Sequence, residues 1–288
     1  MKRNQSTQAI NHIFEQKQRQ PLIQRIQKKV VKRLEKAIEI TQSNNRSDTE
    51  GIHELRVTTK RLRAYWQLIR FAVDDETFKQ ANQRLRTTAK CLAGTRDRHV
   101  LIDSLSMIAT QLQDEQCQRL KTIIEERTTA DIKSESDNID WQSVLSNFQL
   151  EYEVWQALPC DQISNQQIQN GLHKTYMYSF KWAEKSIQHK TSVKKHHEWR
   201  KWVKHLFHQL KLLKQCGLHI AKTNLKTLEQ LGDVLGQEHD FSILANFLLE
   251  QKNVTSFDEK LVSDALEVNH KQIQSLRKRI KKLNKPLK

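Results

Sequence analysis

The chain has 288 residues, a net charge of +16, 37% apolar and 28% charged residues, and only six glycines and three prolines. So few turn formers argue against β-sandwiches, barrels and α/β folds, which spend Gly and Pro on many turns, and favour long helices. No segment approaches the ~20 apolar residues of a membrane span, the N-terminus lacks an apolar leader core, and the four cysteines have no C-x-x-C spacing; the expectation is a soluble, cytoplasmic, all-α protein with no disulfide framework.

Apolar residues recur at helical spacing almost throughout. After a polar extension, 1–19, the face Ile23, Ile26, Val30, Leu34, Ala37, Ile38 predicts a first helix. A polar break at 42–49 follows, with Ser47, Asp48 and Thr49 as N-cap candidates for a helix reaching about Phe71. Asp74-Asp75-Glu76 suits the next helix N-terminus. That helix carries Phe78, Leu85, Ala89 and Leu92 and stops near Gly94. Another helical run extends from about Arg96 to Thr128, and Thr129–Ile139 reads as a link. A helix over about 141–158 ends at Pro159. Four more are expected at 162–190, 193–216, 218–236 and 239–282, before a basic tail, Arg277–Lys288.

The chain repeats itself. HELRVTTKRLR followed by LAGTRDRHVL returns as HEWRKWVKHLF followed by LGQEHDFSIL. His197 lies 144 positions after His53, and Asp240 lies 143 after Asp97. Two motifs recurring at one offset point to a duplicated four-helix unit with pseudo-two-fold arrangement. The halves are 20–130 and 160–283, with a linker and an extra helix over 131–159.

An α-helix advances about 100° per residue, so His53, Arg56, Lys60 and Arg63 share one narrow stripe. His197, Arg200, Lys204, His208 and Lys211 form its counterpart, flanked by Lys201 and His205. Like charges at i, i+4 cost a few tenths of a kcal/mol per pair, so such stripes call for an external anion. The next helices repeat the theme with Lys79, Arg86 and Lys90, then with His219, Lys222 and Lys226. If the leucine faces pack together, the stripes converge on one groove. Arg offers a planar fork for phosphate oxygens, Lys a mobile charge, and His a charge that grows as pH falls. The mixture suits a multi-phosphate ligand held by many moderate contacts, with His53, His197 and His208 strengthening binding at lower pH. It suits a single catalytic centre poorly.

Asp97 and Asp240 fall at expected helix starts and read as structural: caps, or partners of a stripe Arg or Lys. His239-Asp240 has the look of an HD metal phosphohydrolase pair, but the further His and Asp of such a centre are missing. The Lys and Arg interleaved with His196, His197, His205 and His208 would repel a cation. No catalytic residue, metal ligand or cofactor is therefore expected. Nucleic acid is the second partner the charge allows, although no helix-turn-helix, zinc-finger or RNA-binding signature is present.

At these motifs the sequence resembles the CHAD family, the conserved-histidine α-helical domain. The resemblance rests on His53-x-x-Arg56-x-x-x-Lys60-Arg61-Leu62-Arg63 with Ala93-Gly94-Thr95-Arg96-Asp97, and on His197-x-x-Arg200-Lys201-x-x-Lys204 with Leu235-Gly236-Gln237-Glu238-His239-Asp240. It covers roughly 20–283. It implies two antiparallel four-helix bundles around a basic central pore. It implies binding of inorganic polyphosphate, with association to polyphosphate granules and no catalysis. Arg96 joins the expected contacts. In the first half Ala93 stands where the family pattern has Gly.

Overall fold

The computed structural model describes residues 13–14, 20–44, 46–93, 96–108, 111–122, 124, 139–188, 193–252 and 259–284, without the side chains of 96–99, 188, 251 and 252. The described residues are all-helical, as the scarcity of turn formers predicts. The helices are α1 (Leu22–Gln42), α2 (Thr49–Leu68), α3 (Asp75–Cys91), α4 (Arg96–Ile108), α5 (Trp141–Gln156), α6 (Asn165–Gln188), α7 (Val193–Gln215), α8 (Lys222–Lys252) and α9 (Glu259–Leu283). A short helical run over 114–122 joins α9 through a 3.0 Å hydrogen bond from Gln116 to Asp264.

Local signals set the ends. Pro21 precedes α1, whose buried stripe Leu22, Ile26, Val30, Leu34, Ala37 follows the predicted face. Asp74 caps α3 by accepting from the Thr77 backbone N–H at 2.8 Å and from its hydroxyl at 2.6 Å. Asp140 caps α5 by accepting from the Ser143 N–H at 2.9 Å.

Helices α1, α2, α3 and α5 pack in a closed ring: α1 on α2, α2 on α3, α3 on α5, α5 on α1. Helix α5, the addition expected between the halves, thus completes the first bundle. Inside the ring Trp66 and Trp155 meet with centroids 5.0 Å apart. The fully buried Glu151 carboxylate accepts from Trp66 Nε1 at 2.6 Å and from Arg84 Nε at 2.9 Å. Burial pushes its pKa up despite both partners. Helix α4 leaves this ring and packs on α8 and α9 instead.

Helix α7 packs on α6 and α8, and α8 packs on α9. The sequence expectation of a break between 236 and 239 is corrected: α8 runs unbroken from Lys222 to Lys252. Gln237, Glu238 and His239 all tolerate a helix, and no Gly-rich or Pro stop intervenes. The expected single helix 239–282 is in turn divided between α8 and α9, and the 253–258 segment lies outside the described residues.

The motif helices α2 and α7 pack directly on one another. Gln209 of α7 fastens the junction, donating to the Ala64 carbonyl of α2 at 2.9 Å and to Thr175 of α6 at 3.0 Å. Helix α6 also meets α2 so closely that a Cβ at Gly171 would lie 1.9 Å from the Leu68 carbonyl oxygen.

Candidate anion-binding site

On α2 the structure leaves His53 and Lys60 exposed and Arg56 and Arg63 half-buried. On α7 His197 and Lys211 are exposed, whereas Arg200, Lys201, Lys204 and His208 are half-buried. The stripes come together where Lys60, Arg61 and Arg63 of α2 stand near His205 and His208 of α7, whereas Arg56 reaches the end of α3 and Arg200 and Lys204 lie against α8. His208 marks the meeting point. Burial and the charges of Arg61 and Lys60 from α2, with Lys204 and Lys211 from α7, push its pKa down to about 3. Burial, then Arg63, His208 and Lys201, push His205 down to about 3. Both imidazoles are therefore neutral near pH 7. The expectation that His208 gains charge just below neutrality is not met in the unliganded protein: the cations meant to share a ligand with it repel its proton.

The helix that follows each motif helix packs on it in the same register. Arg56 donates from Nη1 to the Ala93 carbonyl at 3.3 Å. In the second half, a Cβ at Gly236 would lie 3.2 Å from Arg200 Nε, and one at Gly232 would lie 2.8 Å from Lys204 Cε. Arg200 and Gly236 stand 144 and 143 residues after Arg56 and Ala93, so the sequence repeat reappears as equivalent contacts. Gly232 and Gly236 form a smooth trough on α8 in which the end of the Lys204 side chain and the Arg200 guanidinium lie. This trough went unread in the sequence. Its signal is the pair of glycines four residues apart in a helix that has no need of flexibility.

The same register orders the remaining cations. Arg86 of α3 stands beside Arg63, whose pKa is lowered by burial and then by that neighbour. Lys90 is exposed on the last turn of α3. Lys79 lies on the first turn near Asp75, about 10 Å along the helix from Arg86 at 1.5 Å per residue. Lys222 and Lys226 are exposed on the opening turns of α8, and the antiparallel α7–α8 register sets Lys226 level with Lys211. The side chains of Arg96 and Asp97 lie outside the described residues. Asp240 is half-buried in the middle of α8, so the expected place at a helix start is corrected. The His197 and His239 rings lie 4.8 Å apart across the α7–α8 contact.

Carboxylates enter the site sparingly. Lys204 Nζ pairs with Asp233 at 2.8 Å, and Lys201 pairs with Glu198 within α7 while lying over the Trp202 ring. Glu54 stands among three cations, Arg33 at 3.9 Å, Lys36 at 4.0 Å and Arg61 at 3.8 Å. The sequence reading placed none of these three among the site residues. Among the described residues no group of three His, Cys, Asp or Glu side chains is placed to hold a metal ion. Nor, among them, is any helix long and apolar enough to cross a membrane.

Chemically, the seam offers guanidinium and ammonium donors at near-helical intervals along two crossing helices. That suits an extended, repeating anion.

A search of curated proteins finds no match. The solved structures that share the fold include two with nearly full-length overlap. The crystal structure of the CHAD domain from the plant Ricinus communis is 16% identical, with a TM-score of 0.63 over 91% of this chain and 89% of that one. PptA from Streptomyces chartreusis is 10% identical, with a TM-score of 0.69 over 92% of this chain and 99% of that one. A family model described as the CHAD domain matches residues 22–249, most of the chain, and on that match the protein belongs to the CHAD domain family.

Proposed function

We propose that the protein binds inorganic polyphosphate along the α2–α7 seam, without turning it over, and that it associates with polyphosphate granules. The observation that carries the reading is His208, which is surrounded by Lys60 and Arg61 from one half and by Lys204 and Lys211 from the other. Cations from two separate motifs crowd one point at a cost in mutual repulsion, and a polyanion offsets that cost. Family membership supports the same reading. Arg56, Lys60, Arg63, Arg200, Lys201 and Lys204 are the principal contacts, with Arg86, Lys90, Lys211 and Lys226 extending the track. His53 and His197, both exposed, flank the track on their own helices. Lys79 and Lys222 stand farther out.

The test is binding of long-chain polyphosphate across a salt series, with DNA as competitor. Log affinity should fall linearly with log salt, as it does for other polyanions that release counterions. Arg56→Ala with Arg200→Ala should lower affinity tenfold or more with helix content intact. Equal displacement by DNA would reduce the reading to general polyanion binding. Unchanged affinity in the folded double variant would remove the seam from it.

A further inference from the structure

Helix α1 carries a third basic stripe outside both motifs. Arg25, Lys29, Arg33 and Lys36 follow i, i+4, i+8, i+11 spacing and so share one side of the helix, over about 16 Å. This side faces the motif helices. Arg25 donates to the Cys216 carbonyl at the end of α7, and Lys29 stands near the same cysteine. Arg33 hydrogen-bonds Tyr65 of α2 and lies beside Arg61, and both Arg33 and Lys36 approach Glu54. The cations of these helices adjoin: Lys204 and Lys211 share the surroundings of His208 with Lys60 and Arg61, Arg61 lies beside Arg33, and Arg33 shares Glu54 with Lys36.

The second half has no equivalent. Moving 144 residues along from the α1 stripe gives Gln169, His173, Met177 and Phe180 on α6, with no Lys or Arg. The lysines that α6 does carry lie over aromatic rings: Lys174 over Phe71, Lys181 over Tyr178, Lys185 over Trp182. The basic surface is therefore lopsided, although the motif helices repeat.

We propose that a long polyphosphate chain leaves the seam on one side only and continues along α1, where Lys29, Arg33 and Lys36 form an arm that distinguishes long chains from short ones. The inference rests on the polyphosphate reading of the seam. A short chain fills the seam and gains nothing from the arm; a long chain fills both. Lys29 and Lys36 are exposed, so their replacement leaves the bundle core untouched.

The experiment measures binding of tripolyphosphate and of long-chain polyphosphate to the full chain across a salt series. The proteins are the wild type, Lys29→Ser/Lys36→Ser, Arg33→Gln, and a charge-matched control on α9, Lys278→Ser/Arg279→Ser. The α1 double variant should lose three- to tenfold in long-chain affinity and flatten the log–log salt slope by roughly 1.4, taking ~0.7 per lost contact from single-stranded nucleic acid. Its tripolyphosphate affinity should match the wild type. Arg33→Gln should show the same selectivity, and the α9 control should show neither change. Equal losses for both ligands, an equal loss in the control, or no loss in either α1 variant would each overturn the arm while leaving the seam standing. A wild type that binds neither ligand would overturn the seam reading, and the arm with it.

Discussion

The Lys204 ammonium lies 2.8 Å from an Asp233 carboxylate oxygen, joining α7 to α8. Asp233 is well exposed, and so it occupies a cation that a phosphate could hold. Asp233→Asn should strengthen polyphosphate binding up to about fivefold, the scale of one exposed ion pair. Isothermal titration at low salt checks this. Weaker binding would make Asp233 an organiser of the site instead of a competitor within it.

His205 and His208 govern acid stability. Their folded pKa values of about 3 lie below the unfolded value near 6.5, so the unfolded chain binds more protons between those limits. Stability therefore falls as pH drops from ~6.5 toward 3. Glu238, held below the usual carboxylate range by His196 and Arg277 against the opposing effect of burial, loses its contribution in the same direction at lower pH. Denaturant melts from pH 7 to 4 should show a steep loss, and His208→Gln should flatten it. If polyphosphate binds at the seam as proposed, it neutralises the cations around His208 and raises its pKa. Binding near pH 6 should therefore take up protons, read as a dependence of binding enthalpy on buffer ionisation.

Two glycine substitutions should separate folding from binding. At Gly171 a Cβ meets the Leu68 backbone oxygen at 1.9 Å, which cannot yield without moving α2. Gly171→Ala should cost about 3 kcal/mol of stability, well beyond the ~1 kcal/mol gained in helix propensity. At Gly232 the obstacle is the flexible end of Lys204. Gly232→Ala should leave the melting temperature unchanged or raised and lower polyphosphate affinity severalfold, because Lys204 must abandon its trough.

Glu238 is fully buried; its Oε1 accepts from Arg277 Nε at 2.9 Å and lies 2.8 Å from Nη2, and its Oε2 lies 3.1 Å from His196 Nδ1. Arg277→Met removes the guanidinium partner and should cost about 3–5 kcal/mol by stranding the carboxylate. Adding Glu238→Gln should restore much of the loss. A double-mutant cycle from urea melts gives the coupling.

Much of this was legible beforehand. The helices α1 to α3 and α5 to α7, the α1 core stripe and the Asp74 cap follow directly from spacing and capping chemistry. Both basic stripes were readable because a regular helix over 53–63 and over 197–211 fixes which side chains share a side. Partnerships between distant helices were not readable. Nothing near Glu151 names Arg84 or Trp66, and nothing near His208 reveals that Lys60 and Arg61 lie across from it. The break expected before His239 failed because the first half has one at the corresponding place. A repeat transmits side-chain roles more faithfully than it transmits loops. The α1 stripe was hidden for a related reason: it lies beside an apolar face and outside the repeated motifs.

The ring that closes around Trp66 constrains how the protein is made. Trp66 and Glu151 meet across 85 residues of chain. Until α5 emerges from the ribosome, α1 to α3 can form at most an open trough, with nothing to cover the Trp66 indole and the Arg84 guanidinium on that side. Domains commonly fold from the N-terminus as they are synthesised, at about 5–20 residues per second. At that pace the trough stays open for seconds, its interior available to a chaperone or to the equivalent helix of a neighbouring nascent chain. Any synonymous change that slows translation between residues 91 and 156 lengthens that interval without altering a single atom of the finished protein.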